Sequence, residues 1–89
     1  MEIAFGSSFK KVFKKKIKGT RSETIFWEKL EIFKSDPYQL KLKTHKLSGK
    51  LDGLWSFSIE YDLRVVFYFT EDHPKRAVLV SIGSHDEVY

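Results

Sequence analysis

Four side chains suited to acid–base or anion chemistry stand in the second half of an 89-residue chain: His45, Asp62, Arg64 and His85. Imidazole titrates near neutrality, so either histidine can take or give a proton at working pH. Arg64 heads the apolar run from Leu63 to Phe69, on the face shared with Val66 and Tyr68. A guanidinium there either pairs with a carboxylate or projects from the sheet toward an anion, and its planar fork suits phosphate. Each group also has a plainer reading. Asp62 is an ordinary turn residue, His85 a solvent-facing residue near the C-terminus, and His45 one more polar residue on a basic segment. His73, beside Pro74 in a charged turn, reads as surface.

Several chemistries are disfavoured. No histidine pair has the spacing of a zinc site and cysteine is absent, so no metal is expected. There is no Gly-rich nucleotide loop, Walker pattern or nucleophile elbow, so no cofactor is expected either.

The elements that must position these residues follow from pattern. Glu2 to Phe5 alternates as a short strand, and Gly6-Ser7-Ser8 stops it, with Ser7 or Ser8 as a helix cap. Phe9, Val12, Phe13 and Ile17 recur at helical spacing, with Lys10, Lys11, Lys14, Lys15 and Lys18 opposite and Lys16 snorkelling at the edge. Gly19 ends this helix. Thr20-Arg21-Ser22-Glu23 has the capping-box pattern for a second helix, whose Phe26, Leu30 and Phe33 form one line. Trp27 leaves that line, either as flanking core or as partner surface. Pro37 ends the helix.

Residues 38–50 alternate leucine with lysine and read as extended, with a short edge strand near 40–47 as an option. Gly49 and Gly53 bracket a loop. Residues 54–61, 63–69 and 77–82 then read as three strands of an antiparallel meander, joined at Tyr61-Asp62 and at the polar turn 71–76. The expected architecture is one α+β domain over residues 1–89: an N-terminal strand and two helices on one face of an antiparallel sheet, in the order βααβββ.

Composition sets the partners. A hydrophobic fraction of 42% and an aromatic fraction of 16% are ample for a core and too high for disorder. The net charge of +4 conceals an imbalance: residues 1–50 carry 13 Lys/Arg against 5 Asp/Glu, whereas residues 51–89 carry 3 against 7. A basic half favours a polyanion, although a solvated lysine face is the competing reading. No apolar run approaches a membrane span, the N-terminus has no signal-peptide pattern, and cysteine is missing. A cytoplasmic protein is expected.

The frame His45-x-Leu47-x-Gly49-x-x-x-Gly53-x-Trp55-Ser56, then Ile59-x-Tyr61-Asp62-x-Arg64-Val65-Val66-Phe67, ending in Ile82-Gly83-Ser84-His85-x-x-Val88-Tyr89, resembles the RelE/ParE superfamily of bacterial toxins. It is most similar to the RelE/YafQ/YoeB-type mRNA interferases, over nearly the whole chain. The resemblance implies a metal-independent endoribonuclease that cuts mRNA in the ribosomal A site and is neutralised by a cognate antitoxin. By similarity, His45, Asp62 and His85 match catalytic positions of the YafQ branch, and Arg64 matches the phosphate-contacting arginine of the YoeB branch. On this view His85 is the acid, and His45 or Asp62 the base or orienter, with the roles exchangeable. Lys43, Lys46 and Lys50 join Arg64 on phosphates. Tyr89 stacks on a base or plugs the core. This chain has Ser58 where YafQ-like proteins carry a further histidine. A ParE-like poison of gyrase without RNase activity is the alternative, with no evident need for the histidines.

Overall fold

The structure is a computed structural model and describes residues 1–72 and 75–89; the turn reading of His73 and Pro74 lies outside the described residues. The chain runs β1 (Glu2–Phe5), α1 (Ser7–Val12), α2 (Arg21–Ser35), β2 (His45–Lys46), β3 (Trp55–Glu60), β4 (Leu63–Phe69), β5 (Arg76–Gly83) and α3 (His85–Val88). The sheet order is β1-β5-β4-β3-β2. The meander β3–β4–β5 is antiparallel as expected, and β2 adds to β3 in the same sense. β1 departs from this by lying parallel to β5.

Period two decides which residues meet the helices. Phe57, Val65 and Phe67 point to the helical face and are fully buried. There Phe33 of α2 stacks on Phe57 at 4.4 Å between ring centroids and meets Phe67 edge-on at 4.9 Å. The alternate residues Ser56, Ser58, Arg64 and Val66 face the other way. A register shift between Ser58 and Glu60 makes a bulge at the end of β3. Past it, Glu60 accepts a hydrogen bond from Ser22 of α2 at 2.7 Å.

The N-terminal joints differ from expectation in detail. Gly6, not a serine, occupies the cap of α1, without a side-chain cap. Its N–H still donates to Leu79 O at 2.8 Å, so the chain turns from strand to helix within one residue. A π turn over Phe13–Ile17 extends α1, closed by Lys18 N–H donating to Phe13 O at 2.8 Å. The capping box at Thr20 does not form. The Thr20 hydroxyl instead donates to Ile17 O at 2.6 Å, and Glu23 accepts from Gly19 N–H at 2.8 Å. The two side chains are spent closing the preceding turn.

The short edge strand allowed near 40–47 is present as β2 at the edge of the sheet, but the rest of residues 38–50 does not alternate as a strand. Leu40–Leu42 is a 3-10 turn, Lys43 is left-handed at φ 53°, and only His45 and Lys46 pair with β3. The Gln39 side chain accepts from Lys41 N–H at 2.6 Å, which favours the turn over extension. Leu42 is buried, whereas Leu40 is almost wholly exposed.

The sequence reading placed no element at 85–88, where α3 stands. Ser84 and Glu87 form the capping box there, Ser84 N–H donating to Glu87 Oε1 at 2.8 Å and Glu87 N–H to Ser84 Oγ at 3.3 Å. Among the described residues no helix is long and apolar enough to cross a membrane.

Candidate active site

β2 ends where the catalytic candidates begin to converge. His45 pairs directly across from Ser56, and directly opposed residues of antiparallel strands share a face. The exposed ring of His45 has Nδ1 2.8 Å from Lys43 O. A ring nitrogen against a carbonyl must carry the proton, so Nε2 of the neutral ring is left with its lone pair toward solvent.

Ser56 leads to the other histidine. It is the one buried polar residue among the described residues, and its Oγ accepts a hydrogen bond from the Tyr89 hydroxyl. The Tyr89 ring meets the His85 ring in a T-shaped contact, at 4.5 Å between centroids and 78° between planes. His45, Ser56, Tyr89 and His85 are therefore one connected set. It assembles only because α3 folds back on β4 and β5.

Asp62 and Arg64 close the patch from the β3–β4 turn. Asp62 Oδ1 lies 3.7 Å from Arg64 Nη1 and accepts from His85 N–H at 3.4 Å. The contact to Arg64 is loose, so most of the guanidinium's five donors remain for another anion. His85 Nδ1 stands 3.6 Å from the exposed Asp86 carboxylate.

α3 is pinned from outside as well. Lys16 reaches Glu87 at 2.8 Å. That ammonium, with the Ser84 N–H, holds the Glu87 carboxyl down to about 2. Gly83 makes room for this, since a Cβ there would stand 2.9 Å from Glu87 Oε1. Glu87 and Ser56 have structural roles that sequence reading missed. Ser84-x-x-Glu87 was a visible signal for the first; Ser56 stood in the frame that carries the resemblance, but nothing in the sequence marked its bond to Tyr89.

The lysines divide. Lys43 and Arg64 line one cleft. Lys46, the strand neighbour of His45, falls on the opposite face, its ammonium 5.5 Å from the centre of the Trp55 ring. Lys50 is exposed in the 3-10 turn Gly49–Leu51. Among the described residues no hydrogen bond or ion pair joins it to the histidines.

A small mixed sheet with two helices on one face, and a C-terminal turn carrying a histidine on the other, defines a RelE-like toxin domain. The sequence model for "Bacterial toxin of type II toxin-antitoxin system, YafQ" matches residues 1–89, and the chain belongs to that family. No curated protein sequence matches it. Among solved structures, a metal-bound toxin from Helicobacter pylori is 24% identical, with a TM-score of 0.75, covering 100% of this chain and 99% of that one. A YoeB/ParE toxin from Agrobacterium tumefaciens is 18% identical, with a TM-score of 0.75 and coverage of 96% and 99%. The toxin of the Escherichia coli DinJ–YafQ complex is 19% identical, with a TM-score of 0.66 and coverage of 99% and 97%. At these identities the likeness shows the fold. In this chain no group of three or more His, Asp or Glu among the described residues is placed to hold a metal ion.

Proposed function

We propose that the chain is an endoribonuclease that cuts mRNA in the ribosomal A site by metal-independent acid–base chemistry. The observation that carries this reading is the connected set His45–Ser56–Tyr89–His85 beside Arg64. It joins two histidines through Ser56 and Tyr89, and Asp62 links the His85 N–H to Arg64. In the proposed reaction His45 Nε2 takes the proton of a ribose 2′-OH, whose oxygen attacks the adjacent phosphorus. His85 gives a proton to the departing 5′-oxygen as the P–O5′ bond breaks, leaving a 2′,3′-cyclic phosphate. Arg64 neutralises charge growing on the phosphoryl oxygens, and Asp62 orients Arg64 and the start of α3.

The test is a ribosome-containing translation extract with mapped mRNA ends. H45A and H85A should each lower cutting about 10²–10⁴-fold, the usual worth of a positioned acid or base. Parent-like cutting by both would overturn the mechanism. Intact mRNA with accumulating gyrase–DNA complexes would favour a gyrase poison instead.

The partner proposed is a cognate antitoxin encoded beside this chain; the Escherichia coli DinJ–YafQ structure is a toxin–antitoxin complex. Trp27 supports a place for it. Its ring is 44% exposed, although Phe26 touches it edge-on at 4.9 Å. It stands between two apolar clefts that share Phe5. One is rimmed by Lys10, Lys14 and Lys18, which suits an acidic amphipathic helix. W27D should end co-purification with the neighbouring frame's product while leaving cutting intact; retained co-purification would refute this placement.

A further inference from the structure

β2 covers β3 only at Trp55 and Ser56. Leu47 N–H donates to Leu54 O at 2.9 Å, so the even-numbered residues of β3 turn their peptide groups toward this edge. Ser58 is the next in that row, past the end of β2, and its N–H faces a gap. Around the gap lie Lys29 from α2, Lys41 and Lys43 from the 3-10 segment, and Arg64 from β4, lining a cleft of about 240 Å³. Its one carboxylate, Glu60, is already engaged by Ser22. Four cationic residues and one engaged carboxylate thus line a cleft at the uncovered edge of β3, beside Ser58.

Lys43 adds an independent sign. Among the described residues it alone, apart from glycines, has a left-handed backbone, at φ 53°. Non-glycine residues hold that conformation at a cost, and such outliers gather at ligand sites.

We infer that this cleft is a second phosphate subsite, which takes a phosphodiester of single-stranded RNA as the strand leaves the histidine patch across Arg64. The inference rests on the nuclease reading and adds Lys29, Lys41 and the Ser58 N–H to it. Arg64 joins the two places, facing Asp62 on one side and the cleft on the other.

The test uses the full chain and a 2′-O-methyl oligoribonucleotide, which binds but cannot be cut, with affinity measured by fluorescence anisotropy across a salt series. Each phosphate contact on a single strand contributes about 0.7 to the slope of log affinity against log salt. K29Q/K41Q should bind more weakly and flatten the slope by about 1.4, two contacts' worth. The same charge loss on α1, K11Q/K15Q, should leave the slope near the parent's. A parent-like slope for K29Q/K41Q, or equal flattening by K11Q/K15Q, overturns the subsite even if H85A still abolishes cutting. Failure of the parent to cut mRNA would instead remove the nuclease reading while leaving the slope comparison intact. Inorganic phosphate at matched ionic strength distinguishes a free anion from a polynucleotide. Competition at millimolar levels equal to that by the oligonucleotide would overturn the RNA assignment.

Discussion

The hydroxyl of Tyr89 donates to Ser56 Oγ, a bond that should support the proposed activity through the docking of α3, and Tyr89→Phe isolates it. Ser56 is 1% exposed, so the variant strands a buried hydroxyl, at a cost of about 1–3 kcal/mol. Ser56→Ala strands the other partner instead. Tyr89 is 38% exposed, so its hydroxyl returns to water, and the loss is nearer the ~0.5–1.5 kcal/mol of an ordinary hydrogen bond. With both groups removed nothing polar is left buried, and the double variant should be close to Ser56→Ala alone. Because α3 is the last element and carries His85, the cost falls on its docking: each ~1.4 kcal/mol raises the undocked population about tenfold. Amide exchange at Val88 and Tyr89, read beside the cutting rate, should therefore rank Tyr89→Phe as the most damaged. Adding Ser56→Ala to it should restore about half of the loss. If Tyr89→Phe is equally damaged with or without Ser56→Ala, the hydroxyl acts on substrate directly and the docking argument fails.

Two further perturbations probe the frame. A Cβ on Gly6 would stand 2.8 Å from the backbone oxygen of Leu79, so Gly6→Ala must displace β1 or α1 and should cost about 1–3 kcal/mol in urea unfolding; parent-like stability would mean the β1–β5 register is wrong. Glu87 titrates at about 2 in the folded chain against an ordinary 4.5, held down by the Lys16 ammonium and then the Ser84 N–H. A depressed acid stabilises fully above its unfolded pKa and loses that contribution as pH falls through the folded value. The α3 amides should therefore stay protected at pH 5 and progressively lose this support from about 4.5 down to about 2, and Glu87→Gln should abolish the dependence. An unchanged profile in Glu87→Gln would refute the assignment.

The meander was legible because period two was clean: Phe57 and Val65 in, Ser56 and Arg64 out, with Tyr61-Asp62 between. Both N-terminal helices were legible from their aromatic spacing, Gly19 and Pro37. The segment 38–50 was not, because alternating lysine and leucine imitates a strand while Gln39 bonds locally to Lys41 and makes a turn. The capping-box pattern occurs at Thr20–Glu23 and at Ser84–Glu87, and the box forms at the second only. The competing partners, Ile17 O for Thr20 and Gly19 N–H for Glu23, are set by how one helix hands over to the next. The parallel seat of β1 was likewise out of reach, since four residues carry no mark of which strand they join.

At the candidate site, type and position separated. His45, Asp62, Arg64 and His85 were chosen from the sequence; Asp62 contacts Arg64 and the His85 N–H, whereas His45 is tied in only by its pairing with Ser56. The Lys46 side is different, because strand geometry alone would have divided it from His45: adjacent residues of a strand face opposite ways. If His45 faces the RNA, Lys46 faces Trp55, as its position over that ring shows. The cations left to meet phosphate beside the histidines are then Arg64 and Lys43, at the edge that β2 leaves uncovered. The brevity of β2 therefore shapes the proposed substrate path. Two residues are enough to fix His45 against Ser56, and a longer strand would pair away the peptide of Ser58 and close the cleft through which the strand of RNA is proposed to leave.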